Sequence, residues 1–89
     1  MKYSVEITPR AENYLKKLDR HTLTEMKEWI NKNLEGCEDP RRTGKPLSGA
    51  DKGKWRYRVG DYRLIAMIYD DRLLILVVDV GHRKNVYLR

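Results

Sequence analysis

The chain has 89 residues and a formal net charge of +6, which predicts a single domain, residues 1–89, with one modest core and an anionic partner. Its one cysteine, Cys37, excludes an internal disulfide, and two histidines far apart in the chain do not suggest a structural zinc site. No apolar run is long enough for a signal peptide or a membrane span, so we expect a cytoplasmic protein with no membrane contact and no small-molecule cofactor.

The first half of the chain predicts one strand and two helices. Tyr3–Ile7 alternates polar and apolar residues, as a half-buried strand does. Thr8 followed by Pro9 is a typical helix start. A capping-box pattern beginning at Thr22 predicts the start of a second helix, whose apolar residues continue at helical spacing until Gly36. The short connection between the two helices predicts an antiparallel hairpin.

The second half predicts a long loop and then three strands. Residues 38–54 are polar and rich in glycine and proline, and loops of this length are often functional. The strands are predicted at about Lys54–Val59, Tyr62–Tyr69 and Arg72–Val80, with tight turns at Gly60-Asp61 and Asp70-Asp71.

These elements predict an α+β fold in which a small antiparallel sheet packs one face against the helical hairpin. The residues expected to face the helices are Trp55, Tyr57, Leu64, Ala66, Ile68, Leu73, Ile75 and Val77. The apolar residues expected on the other face are Ile65, Met67, Leu74, Leu76 and Val78. An apolar surface of that size is rarely left fully exposed to water, so we expect a partner protein to cover part of it.

The segment from Trp55 to Arg63 is the most informative part of the chain. Apolar and cationic residues alternate along it, and the two-residue turn sets Val59 opposite Tyr62. Arg58 then lies opposite Arg63, with Arg56 on the same side of the sheet, which we call the arginine face. Like charges placed opposite each other oppose folding, so the pattern favours a site for RNA or phosphate.

The positive charge is concentrated in residues 41–63. This segment has eight Lys or Arg residues and two acids, a balance of +6 that leaves the rest of the chain formally neutral. The alternative interpretation is a solvated strand face, because surface Lys and Arg are common. The lysines that would extend an RNA-binding surface around the arginines are Lys45, Lys52, Lys54 and Lys84.

The residues after the last predicted strand could complete a site for cleaving RNA. If Gly81 bends the strand, then His82, Arg83 and Tyr87 could lean toward the arginine face. In such a site a 2′-hydroxyl attacks the adjacent phosphorus, guanidinium groups stabilise the phosphoryl oxygens, and a proton donor serves the leaving 5′-oxygen. That route requires no metal. Taken alone, His82 fits a strand end better than it fits a general acid, and Tyr87 could equally well pack the tail.

Three segments in this order resemble the RelE/ParE superfamily of toxins from type II toxin–antitoxin pairs. They are K-P-L-S-G at Lys45–Gly49, W-R-Y-R-V-G-D-Y-R-L-I at Trp55–Ile65, and V-G-H-R-K-N-V-Y at Val80–Tyr87. The resemblance covers nearly the whole chain and implies a RelE-like fold and a cognate RelB-like antitoxin that wraps the toxin.

In the RelE branch the resemblance implies a ribosome-dependent endoribonuclease that cuts messenger RNA. The residues it implies for catalysis are Arg56, Arg58, Arg63, Arg83 and Tyr87, and His82 is a further candidate proton donor. Arginine remains protonated, so Arg58 is better suited to clamp phosphate than to act as a general base. Two alternatives remain open: a ParE-like inhibitor of DNA gyrase that performs no chemistry, and a basic nucleic-acid-binding module without toxicity.

Overall fold

A single five-stranded sheet with two helices on one face forms the protein, as described by a computed structural model for residues 1–82. The elements in chain order are β1 (Ser4–Ile7), α1 (Pro9–Lys16), α2 (Arg20–Asn33), β2 (Lys45–Pro46), a 3-10 turn (Gly49–Asp51), β3 (Trp55–Val59), β4 (Tyr62–Tyr69) and β5 (Leu74–His82). The strands lie in the order β1-β5-β4-β3-β2. The predicted α+β fold with a helical hairpin is confirmed.

The sheet is mixed, whereas an antiparallel sheet was expected. Strands β3, β4 and β5 form the predicted antiparallel meander, but β1 pairs parallel with β5, from Ser4 opposite Leu74 to Ile7 opposite Val77. A parallel neighbour needs a long connection, and nearly the whole chain lies between these two strands. The predicted long loop also contains structure: β2 pairs antiparallel with the start of β3.

Local capping explains where the helices begin. The Thr8 side chain accepts a hydrogen bond from the Ala11 backbone N–H at 3.3 Å, as predicted. The second helix starts earlier than predicted, because Asp19 and not Thr22 is its N-cap. The Asp19 carboxylate accepts from both the backbone N–H and the hydroxyl of Thr22, which lowers the pKa of Asp19.

The core lies between the helices and the sheet face that carries Tyr57, Leu64 and Val77, which we call the helix face. The fully buried large side chains are Tyr57, Leu15, Met26, Leu34, Leu64, Ile75, Val77 and Val80. On the opposite face, Ile65 is buried and the remaining predicted apolar residues, Met67, Leu74, Leu76 and Val78, are half-buried. The predicted division of the strands into two faces is therefore confirmed as far as Val78.

Strand β5 differs from the prediction at both ends. It begins later, because Leu73 adopts a left-handed conformation with φ of +52° and belongs to the turn. Near its end the register shifts: Ala66 pairs with Val77 but Ile65 pairs with Asp79, so Val78 is an extra residue. One extra residue moves every later side chain to the other face. Val80 is consequently in the core and not on the arginine face.

Neither helix within residues 1–82 is long and apolar enough to cross a lipid bilayer.

Candidate functional site

The three strand arginines lie on one face, as the turn geometry predicts. Arg58 is directly opposite Arg63 in the β3–β4 pairing, and Arg56 lies two residues before Arg58 on the same strand. Strand alternation therefore directs all three side chains away from the helices. Like charges directly opposite each other cost roughly 0.2–1 kcal/mol of folding free energy, which an anionic ligand would offset.

The three arginines differ in how deeply they are buried. Arg63 is only 3% exposed, Arg56 is half-buried and Arg58 is exposed. Arg63 donates from Nη1 to the Tyr62 carbonyl at 3.3 Å. A guanidinium held in this way loses little conformational freedom when it binds an anion, while the Arg58 side chain is accessible from solvent. The face therefore combines one ordered cation with one accessible cation.

The lysines predicted to extend this face differ in exposure and in ion pairing. Lys45 is exposed on β2, directly opposite Arg56 in the β2–β3 pairing. Lys52 is exposed just after the 3-10 turn. Lys54 is half-buried, and its Nζ lies 3.2 Å from the Asp51 carboxylate, which partly neutralises its charge. Lys45 is thus better placed than Lys54 to extend the arginine face toward an anion.

His82 lies on the wrong side of the sheet for the role considered for it. It pairs with Tyr62, and the two rings meet edge to face with centroids 5.4 Å apart. Its backbone N–H donates to the Tyr14 hydroxyl of α1 at 3.3 Å. Arg63 pairs instead with Gly81, which lies within β5. The remaining tail candidates, Arg83, Lys84 and Tyr87, lie outside the described residues.

A tight loop contact fixes β2 beside β3. Gly44 has φ of +82°, and a Cβ atom there would stand 2.3 Å from the Arg56 carbonyl oxygen. The Trp55 indole N–H donates to the Thr43 carbonyl at 2.7 Å, and the buried Tyr57 hydroxyl donates to the Pro40 carbonyl. In the sequence, Gly44 was only one of the glycines and prolines that predict a loop at residues 38–54. The loop is in fact held against the strand that carries Arg56 and Arg58.

A second contact holds the same loop to the other end of the sheet. Arg41 donates to both carboxylate oxygens of Asp70, at 3.0 and 3.1 Å, and the Tyr3 hydroxyl donates to the same carboxylate at 2.6 Å. The Arg41 and Tyr3 hydrogen bonds lower the pKa of Asp70. Arg41, which the sequence counted only as part of the basic segment, is thus committed to a structural contact.

We expect this carboxylate to contribute to stability in a pH-dependent way. Because its pKa is lower in the folded protein than in the unfolded chain, the contribution is present at neutral pH and is lost as the pH falls through the folded-state pKa. Asp70→Asn should therefore lower Tm at pH 7. The difference in Tm between this variant and the parent protein should become smaller in acid. Asp71→Asn makes the same charge change one residue away and should show no such pH-dependent difference in thermal unfolding.

A cleft lies at the open edge of β3, between the C-terminal half of α2 and the loop before β2. It has a volume of about 390 Å³, and its lining includes Trp29, Asn33, Lys45, Arg56 and Arg58. Within residues 1–82, no strand lies beside the outer edge of β3 beyond the two residues paired with β2. Asn33 belongs to no sequence motif and comes close to the arginines only through the fold.

A larger depression of about 720 Å³ lies around Cys37. Its charged lining residues are mixed in sign: Lys2, Lys32, Glu38, Asp39 and Arg42. Burial raises the pKa of the Cys37 thiol, which disfavours the reactive thiolate. The described part of the chain, residues 1–82, also contains no group of three or more His, Cys, Asp or Glu side chains arranged to hold a metal ion. The arginine face is therefore the stronger candidate site.

Comparison with known proteins gives consistent matches along the chain. Residues 5–87 match the family model described as ParE toxin of type II toxin-antitoxin system, parDE. The chain is 34% identical to Toxin RelG of Mycobacterium tuberculosis over 89 residues, which cover all of both proteins.

Two solved structures extend this likeness to three dimensions. In the toxin–antitoxin complex RelBE2 from Mycobacterium tuberculosis, the matched chain has a TM-score of 0.84 and 32% identity, with 96% of this chain and 95% of that chain covered. The isolated Escherichia coli RelE toxin has a TM-score of 0.71 and 24% identity, with 97% of this chain and 92% of that chain covered, and it supports the fold alone.

Proposed function

Because this chain belongs to the RelE/ParE superfamily of type II toxins, we propose that it is a ribosome-dependent endoribonuclease that cuts messenger RNA and so inhibits translation. The single observation that carries this proposal is the direct pairing of Arg58 with Arg63 on the face away from the helices. A full-length relative named for the RelE branch adds support for this branch. We take residues 1–89 as one toxin domain.

The reaction would proceed through the RNA's own 2′-hydroxyl. The 2′-hydroxyl gives up its proton to water as its oxygen attacks the adjacent phosphorus. A 2′,3′-cyclic phosphate forms, the bond from phosphorus to the 5′-oxygen breaks, and that oxygen takes up a proton. Arg58 and Arg63 would hold the non-bridging oxygens, where negative charge increases in the transition state. Arg56 and Lys45 would contact the neighbouring backbone phosphates. By the family resemblance, Arg83 would assist the leaving oxygen and Tyr87 would orient the 2′-hydroxyl or stack on a base.

Two kinds of macromolecular partner follow from the same proposal. One is the ribosome with its bound message in the cytosol. The other is a RelB-like antitoxin, for which the half-buried apolar residues Met67, Leu74 and Leu76 beside the arginines would offer a contact surface. Relatives of this fold have been solved as complexes of toxin with antitoxin, which supports the second partner.

One observation favours a different target. The matching family model is described as a ParE toxin, and a ParE-like protein would inhibit DNA gyrase without performing chemistry. On that alternative the arginine face would contact a protein or DNA and no phosphodiester would break.

Expression of the toxin in cells separates these two functions. A nuclease should halt translation and produce messages with new ends that map to positions occupied by ribosomes. A gyrase inhibitor should cause filamentation and DNA damage while messages stay intact, and that result would overturn the proposal.

The affinity for RNA should also depend steeply on salt. If three arginines replace the counterions of three phosphates on a single strand, log K should fall against log salt with a slope of about −2. Titration of labelled single-stranded RNA at several salt concentrations measures this slope. A slope near zero would contradict a phosphate clamp.

A further inference from the structure

The cleft beside β3 places an aromatic ring and an amide next to the arginine face. Trp29 and Asn33 are one helical turn apart on α2, and Arg56 and Arg58 line the same cleft from β3. The Trp29 ring packs at a tilt of 54° against the Tyr57 ring, with centroids 5.7 Å apart, which holds the indole in place. The cleft has a volume of about 390 Å³, which lies within the range of roughly 300–1,000 Å³ that is usual for small-molecule sites.

Charge divides this cleft into two parts. Lys45, Arg56 and Arg58 are on the sheet side, and no acidic residue is among the described lining residues. The other side is the C-terminal end of α2, where the helix dipole places a partial negative charge. An anion therefore prefers the sheet side, while a hydrogen-bond donor such as an exocyclic amino group prefers the helix side.

The amide of Asn33 is already oriented by the helix. Its Nδ2 donates to the Trp29 carbonyl at 3.0 Å, and the side chain is exposed. The Oδ1 atom is left as an acceptor at the helix side of the cleft. A flat apolar surface and an oriented acceptor can together bind the base of a nucleotide, and the adjacent cations can bind its phosphate.

We propose that this cleft is a nucleotide subsite, in which a base of the RNA contacts Trp29 and Asn33 while its phosphate lies on Lys45 and Arg56. The inference rests on the proposed function for the identity of the polymer, since the nucleotide would belong to the RNA strand whose scissile phosphate lies at Arg63. The subsite adds recognition of the base, which the arginines alone do not provide. The subsite would favour bases that can donate a hydrogen bond to Oδ1, and so would bias where the strand is cut.

Binding of single nucleotides tests the subsite without any cleavage. In ¹⁵N–¹H spectra of the full chain, adenosine and cytidine 5′-monophosphates should shift the Asn33 side-chain amide and the Trp29 indole N–H. Ribose 5-phosphate, which has the phosphate but no base, should shift resonances of the sheet side only. The side-chain amide of Asn31, exposed on the same helix and not part of the lining, should stay unchanged with all probes. Equal shifts at Asn31 and Asn33, or the same pattern with and without a base, would overturn the proposal.

A matched pair of variants gives a second readout. Asn33→Asp places a carboxylate in the cleft and should weaken the binding of these nucleotides about tenfold, because the added charge repels the phosphate. Asn31→Asp makes the same charge change two residues earlier and should leave binding close to that of the parent protein. If messages are cut normally but both variants bind alike, the subsite is wrong and the nuclease function stands. If no message is cut and only Asn33→Asp loses nucleotide binding, the subsite stands and the nuclease function is wrong.

Discussion

Arg58→Ala should lower the rate of message cleavage by roughly 10²–10³-fold, the usual cost of removing one donor that stabilises charge in a transition state. The arginine is exposed, so its removal opens no cavity in the core. It also removes the repulsion across the strand pair with Arg63, so the free energy of unfolding should be unchanged or slightly higher. End mapping of a reporter message in a translating extract measures the first effect, and urea unfolding measures the second.

Arg20→Ala is the matched control for that experiment. Arg20 is also exposed and carries the same charge, but it is the first residue of α2 in the helical layer. The Arg20→Ala protein should therefore cleave messages at the rate of the parent protein. Full cleavage by the Arg58→Ala protein, or an equal loss in both variants, would contradict a phosphate-binding role for the arginine face.

Arg63 needs a different substitution because of its burial. Alanine at this position should abolish toxicity with the fold retained, but at 3% exposure the truncation also leaves unfilled volume on the arginine face. Arg63→Lys keeps the charge and much of the packing while losing the planar fork that binds two phosphate oxygens. Loss of cleavage in Arg63→Lys with unchanged thermal unfolding would assign the effect to phosphate binding.

Gly44→Ala should destabilise the protein by about 2 kcal/mol or more, a large share of the stability of a small domain. Two penalties add at this position. The backbone has φ of +82°, which residues with a side chain rarely adopt, and the new Cβ would stand 2.3 Å from the Arg56 carbonyl oxygen. Because that neighbour is backbone, relief requires the loop to move away from β3. Cleavage should fall together with stability, because Lys45 moves with the loop.

Gly49→Ala separates the two penalties. Its φ of +67° is similarly left-handed, but an added Cβ would meet no atom within 4 Å. It should cost only about 1 kcal/mol, the price of the backbone conformation alone. Urea unfolding of both variants gives the difference, which reports the contact between Gly44 and β3. Equal losses in the two variants would show that the contact contributes nothing.

The arrangement of the arginines could be predicted because it depends on local geometry. A two-residue turn at Gly60-Asp61 fixes the register of the strands on either side, and alternation then assigns each side chain to a face. Burial could not be predicted in the same way. The burial of Arg63 depends on which residues pack around its side chain, and those residues are distant from it in sequence.

The position of His82 shows how one unseen feature overturns a local argument. The sequence suggested that His82 could lean toward the arginine face if Gly81 bends the strand. Because Val78 is an extra residue in β5, His82 pairs with Tyr62 and its ring contacts the Tyr62 ring instead. Bulges depend on pairing with a neighbouring strand and leave no reliable mark in a single strand's own sequence. The parallel placement of β1 was missed for a related reason, since alternation shows that a strand exists but not which strand it joins.

The cleft was beyond sequence reasoning altogether. Asn33 and Arg58 are on different elements, and only the packing of α2 on the sheet brings them to the same space. Trp29 likewise comes to line the same cleft as Arg56 and Arg58 only because α2 packs on the sheet.

The pairing of β1 with β5 also bears on how the protein is made. Ser4 is synthesised 70 residues before Leu74, yet the two are neighbours in the sheet. A nascent chain must therefore wait for β5 before its N-terminal strand finds a partner, and contacts so distant in sequence form slowly. The five-stranded sheet is therefore complete only after residues 74–77 have been synthesised and have paired with β1.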